Sequence, residues 1–323
     1  MSHAVRRALG IVLLAVAGTT ATTARAQQRD TMVLAVPAKG ALNFLAMGDW
    51  GHEGVSPQRE VASQMGVTAA AIGANFVLVT GDNFYPDGVR SVSDPQWRSS
   101  FEDVYTAPSL AIDWFVALGN HDYHGSAQAE VDYSATSRRW RMPARYYAVS
   151  KTLADGTTAE FFIIDSSPFI DEYRLAPWKY HFAGSQTSKQ RAWLDSALKA
   201  STATWKFIAG HHNVYSGGER TRIPEMERLL VPLMKKYGVT AYICGHEHHL
   251  EHIARADQPG VHFLISGGGG ERSKSKVPGT VGTRFATRGP GFLALSLARD
   301  SLLVQAVDET GRLLYRTSIR RGK

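Results

Sequence analysis

Five short apolar runs punctuate the first three quarters of the chain: 44–47 (FLAM), 76–80 (FVLVT), 114–118 (WFVAL), 205–209 (WKFIA) and 241–244 (AYIC). They are continuous rather than alternating and are bounded by glycine, the pattern of strands buried on both faces. Three segments between them repeat at helical spacing. Ser56 is placed to cap a helix starting at Pro57, with Val61, Met65, Ala69 and Ile72 on one face. Residues 187–199 align Trp193, Leu194, Ala197 and Leu198, and 224–237 align Met226, Leu229, Leu230, Leu233, Met234 and Tyr237 around Pro232. Segments 145–150 and 160–165 flank Ala154-Asp155-Gly156 and predict a hairpin. The C-terminal third is strand-rich, over 250–254, 261–266, 291–298, 301–307 and 312–318.

The first 26 residues follow a different rule. Arg6 and Arg7 precede an apolar stretch over 8–17, too short to span a bilayer, and Ala24-Arg25-Ala26 resembles a cleavage site. This predicts a signal peptide at 1–26, an irregular lead-in at 27–41 and a single catalytic domain at 42–323, exported to the periplasm or secreted. The arginine pair also fits export of a folded chain, although Val5 and Gly10 fit that signal poorly. Loss of the leader removes three arginines and no acid, lowering the net charge from +7 to +4. No later stretch is apolar enough to span a membrane.

The 323 residues are 44% hydrophobic and 20% charged, which excludes a mainly disordered chain. The basic residues are dispersed, so no nucleic-acid partner is expected. The lone Cys244 excludes an internal disulfide and sits in an apolar run as a small core residue. Gly267–Gly270 reads either as a plain turn or as a phosphate cradle.

Candidate chemistry lies where the five runs end. Each stops at glycine followed by a potential metal ligand: Gly48-Asp49, Gly81-Asp82, Gly119-Asn120, Gly210-His211 and Gly245-His246. Strands of a mainly parallel α/β sheet end along one edge, where ligands bind. Carboxylate, amide and imidazole together suit hard and borderline cations. Tyr85 and His248 add a phenol and a third imidazole from the same loops. Seven donors exceed the needs of one tetrahedral ion and suit two ions sharing a carboxylate. Such pairs, roughly 3.5–4 Å apart, clamp an in-line displacement at phosphorus.

The motifs Gly48-Asp49-Trp50-Gly51, Gly81-Asp82-Asn83-Phe84-Tyr85, Gly119-Asn120-His121-Asp122, Gly210-His211 and Gly245-His246-Glu247-His248 resemble the calcineurin-like metallophosphoesterases. The tyrosine of the second motif resembles the purple acid phosphatases, specifically the small, tartrate-resistant type. The resemblance spans residues 42–270, and beyond them only the strand-rich character matches. It implies an α/β fold, a four-layer α-β-β-α sandwich of two mixed sheets flanked by helices. It implies that Asp49, Tyr85 and His248 hold Fe(III), that Asn120, His211 and His246 hold a divalent Fe, Zn or Mn, and that Asp82 bridges them. A Tyr85 phenolate on ferric iron would colour the protein purple.

The implied activity is acid phosphatase hydrolysis of phosphate monoesters, with a bridging, metal-bound hydroxide as nucleophile and a small-molecule phosphate ester as substrate. The charges fit. The two ions carry +5, and Asp49, Asp82, Tyr85 and hydroxide supply −4, leaving a site that receives an anion. Zinc lowers the pKa of bound water from 15.7 to about 7. A trivalent ion lowers it further, which predicts an acidic pH optimum. His121 is the expected phosphate contact or proton donor, with the neighbouring Asp122 as the partner that supports it from behind. The mammalian-type enzymes have a second phosphate-side histidine nine residues after the Gly-His ligand. Here that position is Arg220, either a phosphate clamp or a solvated loop charge, and a poor general acid in both cases. His212 leaves a small register ambiguity beside His211.

His124, His249 and His252 read as rim or packing residues, Asp165 as structural, and Trp50 as a site wall or packing. Substrate specificity is expected from loops 87–98, 124–141 and 216–223. Alternatives are a phosphodiesterase or nucleotidase on the same scaffold, or a non-catalytic or redox iron protein.

Overall fold

The computed structural model describes residues 33–321 apart from 177, 181, 183–185 and 275. The expected leader 1–26 and the first part of the lead-in, 27–32, lie outside the described residues.

The apolar runs form strands. In chain order the elements are β1 (Leu42–Met47), α1 (Gln58–Ile72), β2 (Phe76–Thr80), β3 (Asp113–Ala117), α2 (Ala127–Tyr133) and β4 (Trp140–Arg141). Then come the hairpin β5 (Tyr147–Thr152) and β6 (Thr158–Ile163), α3 (Asp171–Arg174), α4 (Gln186–Ala200), β7 (Trp205–Ala209), α5 (Pro224–Tyr237) and β8 (Ala241–Cys244). The chain finishes with β9 (Leu250–Ile253), β10 (His262–Ser266), β11 (Thr283–Thr287), β12 (Gly291–Leu297), β13 (Ser301–Asp308) and β14 (Leu313–Arg320). The short elements α2, α3, β4 and β11 carry too few periodic positions to be read from sequence.

The strands form two mixed sheets of seven, ordered β14-β13-β12-β1-β2-β3-β4 and β11-β9-β10-β8-β7-β6-β5. Parallel pairs lie at the centre of each, β1–β2–β3 in one and β6–β7–β8–β10 in the other. The five ligand-bearing runs are therefore divided between two sheets rather than aligned along one edge. Aromatic side chains fill the space between the sheets. Phe44 of β1 meets Phe161 of β6 at 5.3 Å and Phe207 of β7 at 6.4 Å between ring centroids.

On α1, Val61, Met65, Ala69 and Ile72 are buried as the periodicity requires, and Gly73 ends the helix at φ +63°. Ser56 does not cap it. The helix begins one residue later, and the Gln58 side-chain oxygen instead accepts N–H bonds from His52 and Gly54. Cys244 is buried at the end of β8, and burial pushes its thiol well above the ordinary range.

A second aromatic cluster lies under the loops that follow β1 and β2. Trp50 is fully buried there, 5.7 Å from Phe84 and 6.3 Å from Trp114. Its indole N–H donates to Asn83 Oδ1 at 3.1 Å. Trp50 is packing, not a wall of the site, and it fixes the first two ligand loops to one another.

A histidine pair joins the two sheets away from these loops. His252 of β9 lies 3.0 Å from His262 of β10 and 3.0 Å from the Tyr315 hydroxyl of β14. Burial, with Arg284 nearby, lowers His252 to about 3 and His262 to about 4. The unfolded chain takes up these protons near pH 6.5, whereas the folded chain does so only below about 4. Stability should therefore fall as pH drops from 6.5 to 4. Thermal melting of the wild type and of a His252→Gln/His262→Gln variant checks this: the variant should lose less stability across that window, and an equal loss would refute it.

Candidate metal centre

Three of the expected ligands sit in the left-handed region of backbone space. Asp49 has φ +60°, Asp82 +49° and His246 +69°. Each follows the glycine that ends its strand, and this turn swings the side chain back across the strand end. Such conformations cost of order 1–3 kcal/mol apiece for residues other than glycine and persist where the surroundings fix them. Here backbone bonds do so. Asp49 N–H donates to Gly81 O at 2.9 Å, Gly48 N–H to Ser266 O at 2.7 Å, and Gly245 N–H to His211 O at 3.0 Å. The Gly48–Ser266 bond ties one sheet to the other. The glycines are also needed for close approach. A Cβ on Gly119 would strike the Asp82 carboxylate, and one on Gly245 would strike that of Asp49.

The side chains converge as two donor groups with one atom in common. The Tyr85 phenol oxygen lies 3.2 Å from Asp49 Oδ1, 3.1 Å from Asp82 Oδ2 and 3.2 Å from His248 Nε2. His211 Nε2 lies 3.2 Å from the same Asp82 Oδ2, 3.2 Å from Asn120 Oδ1 and 3.1 Å from His246 Nδ1. All seven predicted ligands are therefore brought together, with Asp82 Oδ2 shared. Donors about 2.0–2.2 Å from a common ion stand roughly 3–3.5 Å apart, and these spacings fit. Protons do not satisfy the arrangement as well. Tyr85 has one hydrogen to offer, while two carboxylate oxygens and an imidazole nitrogen face it.

The electrostatics point the same way. Burial, then the charges of Asp82 and Asp49, push the Tyr85 phenol well above its ordinary range. Burial alone would raise the Asp82 carboxyl, but neighbouring His211 outweighs it and holds the group well below the carboxylate range. Burial would lower His211 and His248. Asp82 and Asp49 instead raise His211 to about 9, and bonds to Asp49 and Glu271 raise His248 to about 10. The buried anions thus favour protons on His211 and His248 when no metal is bound, and a cation held by the same imidazoles can take the place of those protons.

His211, not His212, joins this group. Its Nδ1 is held by Thr80 O at 2.9 Å, which leaves Nε2 for the centre. His212 packs against His246, 4.3 Å between ring centroids, but both of its nitrogens are engaged, Nδ1 2.8 Å from Ser166 Oγ and Nε2 3.3 Å from the Tyr173 hydroxyl.

His121 lines the cavity in front of the donors, but Asp122 is not its partner. Asp122 is fully buried and accepts N–H bonds from Gly119 at 2.7 Å and Asn83 at 2.8 Å, so it anchors the second and third ligand loops. Burial, then the charge of Asp82, raises its carboxyl to about 7. Backbone amides outcompete an imidazole because they are fixed within the turn that Asp122 closes. The His121 Nδ1 is instead 2.5 Å from Pro86 O.

Arg220 reaches the cavity rim on a tethered loop. Glu247 Oε1 accepts its backbone N–H at 3.0 Å and faces its guanidinium at 3.4 Å, and Glu247 Oε2 accepts the Glu219 N–H at 2.8 Å. Arg220 is thus neither buried against the donors nor a free loop charge. No local pattern pointed to this role for Glu247, because its partners are backbone groups of a distant loop.

The cavity has a volume of about 640 Å³. Its walls come from His52, Glu53, Glu219, Arg220, Glu271 and Lys274, among others. Of the three loops expected to set specificity, only 216–223 contributes; loops 87–98 and 124–141 lie outside it. They carry instead part of the buried aromatic cluster, through Trp97 and Trp140. Gly267–Gly270 is neither a plain turn nor a phosphate cradle. Its Gly269 and Gly270 amides donate to Gly48 O at 3.0 Å and Asp49 O at 2.8 Å, and it packs against the first ligand loop.

The remaining candidates fall outside the centre. His249 pairs with Glu251 at 3.0 Å, fully buried, while His124 faces Asp87 at 3.3 Å. The Asp165 carboxylate accepts the Tyr123 hydroxyl, its backbone N–H donates to Gln190 Oε1 at 2.9 Å, and its backbone carbonyl accepts from Gln190 Nε2 at 3.0 Å. These are structural roles.

A model of the calcineurin-like phosphoesterase family matches residues 42–250. Purple acid phosphatase 4 of Arabidopsis thaliana is 35% identical over 286 residues, spanning 86% of this chain and 83% of that protein. Human tartrate-resistant acid phosphatase type 5 is 33% identical over 310 residues, spanning 89% and 94%. Among solved structures, GAP50, titled the anchor in the inner membrane complex of Plasmodium, has a TM-score of 0.80 at 23% identity, spanning 88% and 90%. Yellow lupin purple acid phosphatase PPD1 has a TM-score of 0.65 at 16% identity, spanning 89% and 55%. At these identities the two structures speak for the fold.

Gly245→Ala tests the close packing of the donors. The added methyl should displace the Asp49 carboxylate and weaken metal binding about ten-fold or more, with the circular dichroism of the fold retained. Unchanged affinity, measured by titration of metal-stripped protein, would refute the argument.

Proposed function

Because the chain belongs to the purple acid phosphatases of the calcineurin-like phosphoesterase family, we propose that it hydrolyses phosphate monoesters in acid at a centre of ferric iron and a divalent metal. It is a metal-dependent phosphoesterase. The observation that carries the finer reading is the shared Asp82 oxygen, with Tyr85 on one side of it and His211 on the other. Asp49, Tyr85 and His248 would hold the ferric ion. Asn120, His211 and His246 would hold divalent iron, zinc or manganese, and Asp82 would bridge. When bound, the pair would supply positive charge for phosphoryl oxygens and an ionised water as nucleophile.

The protein's own groups supply the rest. Asp122 and the backbone of the glycine turns keep the donors in place, so little reorganisation is needed as charge develops. With Nδ1 engaged by Pro86 O, His121 has Nε2 left for the substrate, as a contact to phosphoryl oxygen or a proton donor to the departing alkoxide. Arg220, steadied by Glu247, would offer its guanidinium to the phosphate from the cavity rim. Its permanent charge binds and orients but gives up no proton, which leaves His121 as the general acid. The leader-like segment 1–26 supports an exported location for this activity.

Two measurements test the reading. The aerobically oxidised protein should show a broad purple absorption band that survives phosphate and disappears in Tyr85→Phe. A colourless protein with full metal occupancy would remove iron–tyrosinate from the assignment. Monoesters should be turned over faster than matched diesters, with a pH–rate maximum on the acid side. A preference for diesters, or a maximum above neutrality, would overturn the acid monoesterase assignment.

His121→Ala should lower kcat by about 10²–10⁴-fold at unchanged metal content, the range general acid catalysis supplies. Metal loss with unchanged turnover per bound pair would instead make His121 a structural residue.

A further inference from the structure

Glu271 stands directly after the four-glycine run and reaches back over the ligand loops. Its Oε2 is 2.7 Å from His248 Nδ1, and its Oε1 is 3.5 Å from His52 Nε2. These two histidines flank Tyr85. His248 presents its other nitrogen to the phenol oxygen at 3.2 Å and to Asp49 Oδ1 at 3.4 Å. The His52 ring stacks on the Tyr85 ring, 4.3 Å between centroids and 11° from parallel.

The position of Glu271 is fixed by the backbone. The Gly270 N–H is bonded to Asp49 O, so the next residue is held in register with the loop that carries a ligand. A Cβ at Gly270 would strike Trp50 O and the His52 ring, so this approach is open only to glycine. The Glu271 side chain is 31% exposed, which leaves its charge partly shielded from water and close to the histidines.

We propose that Glu271 is a positioning residue of the metal centre: it accepts the His248 Nδ1–H, fixes the tautomer and ring orientation that aim Nε2 at Asp49 and Tyr85, and strengthens that nitrogen as a donor. An imidazole rotates about its Cβ–Cγ bond and exists as two neutral tautomers. A carboxylate on one nitrogen selects one orientation and one tautomer, and its charge raises the electron density offered by the other. Partners of this kind typically change metal affinity 10–100-fold. The same contact bears on Tyr85. A stronger histidine donor leaves ferric iron less electron-poor, which raises the energy of charge transfer from the phenolate.

This inference rests on the ferric–tyrosinate reading above, and the experiment separates the two. Wild type, Glu271→Gln and Glu271→Ala are compared as metal-loaded proteins, by metal release under a chelator and by the visible spectrum. Glu271→Gln keeps an acceptor without the charge, whereas Glu271→Ala removes both. Metal release should be 10–100-fold faster in Glu271→Gln and faster still in Glu271→Ala. The purple band should move to longer wavelength in the same order. Wild-type retention and an unmoved band in both variants would overturn the proposal. So would a lower melting temperature of the metal-free variants with band and release unchanged, since Glu271 would then serve only its own loop. If the wild type binds metal but has no purple band, the iron–tyrosinate reading falls. Metal release then decides Glu271 alone: faster release supports its role, and equal release overturns it.

Discussion

One carboxylate oxygen organises this molecule. Asp82 Oδ2 is in contact with Tyr85 on its own loop and with His211 at the end of a strand in the other sheet. For it to reach both, Asp82 must leave its strand in a left-handed conformation, Gly119 must lack a side chain, and the two sheets must meet at their carboxyl ends. The crowding is costly without a counter-charge. Two buried carboxylates, a phenol and several imidazoles share a space with little water, where opposite charge is the only effective compensation.

The supporting structure is arranged around this demand. Asp122 takes the amides of two ligand loops, and Glu247 takes those of the rim loop that carries Arg220. Trp50 and its aromatic neighbours make a rigid floor beneath the first two loops. Asp122, fully buried, closes its turn through backbone N–H groups rather than by pairing with a base. That choice fixes geometry without adding positive charge beside a site meant to hold cations.

The cavity walls carry both signs. Arg220, Lys274 and His121 line the cavity together with Glu53, Glu219 and Glu271. Under the proposed function phosphate would be received by the centre and its nearest donors, and the outer wall would be left to discriminate among the organic parts of substrates. Two of the wall segments, at 52–55 and 271–274, are brought in by the loops after β1 and β10.

The sequence by itself determined which candidate donors are delivered to the strand ends. A buried strand must end, glycine allows the chain to turn there, and the next residue is the one delivered to the edge, so five Gly–ligand pairs were visible without a fold. Apolar continuity likewise disclosed the central strands, and helical spacing the long helices. Which atoms meet was decided only by the tertiary structure. Asp122 sits beside His121 in the chain but bonds to the amides of Gly119 and Asn83, and Glu271 gave no signal yet lies against His248. Periodicity reports how a residue faces its own element. Contacts between loops depend on how two sheets are set against each other, which is fixed by packing over the whole core and written in no local pattern.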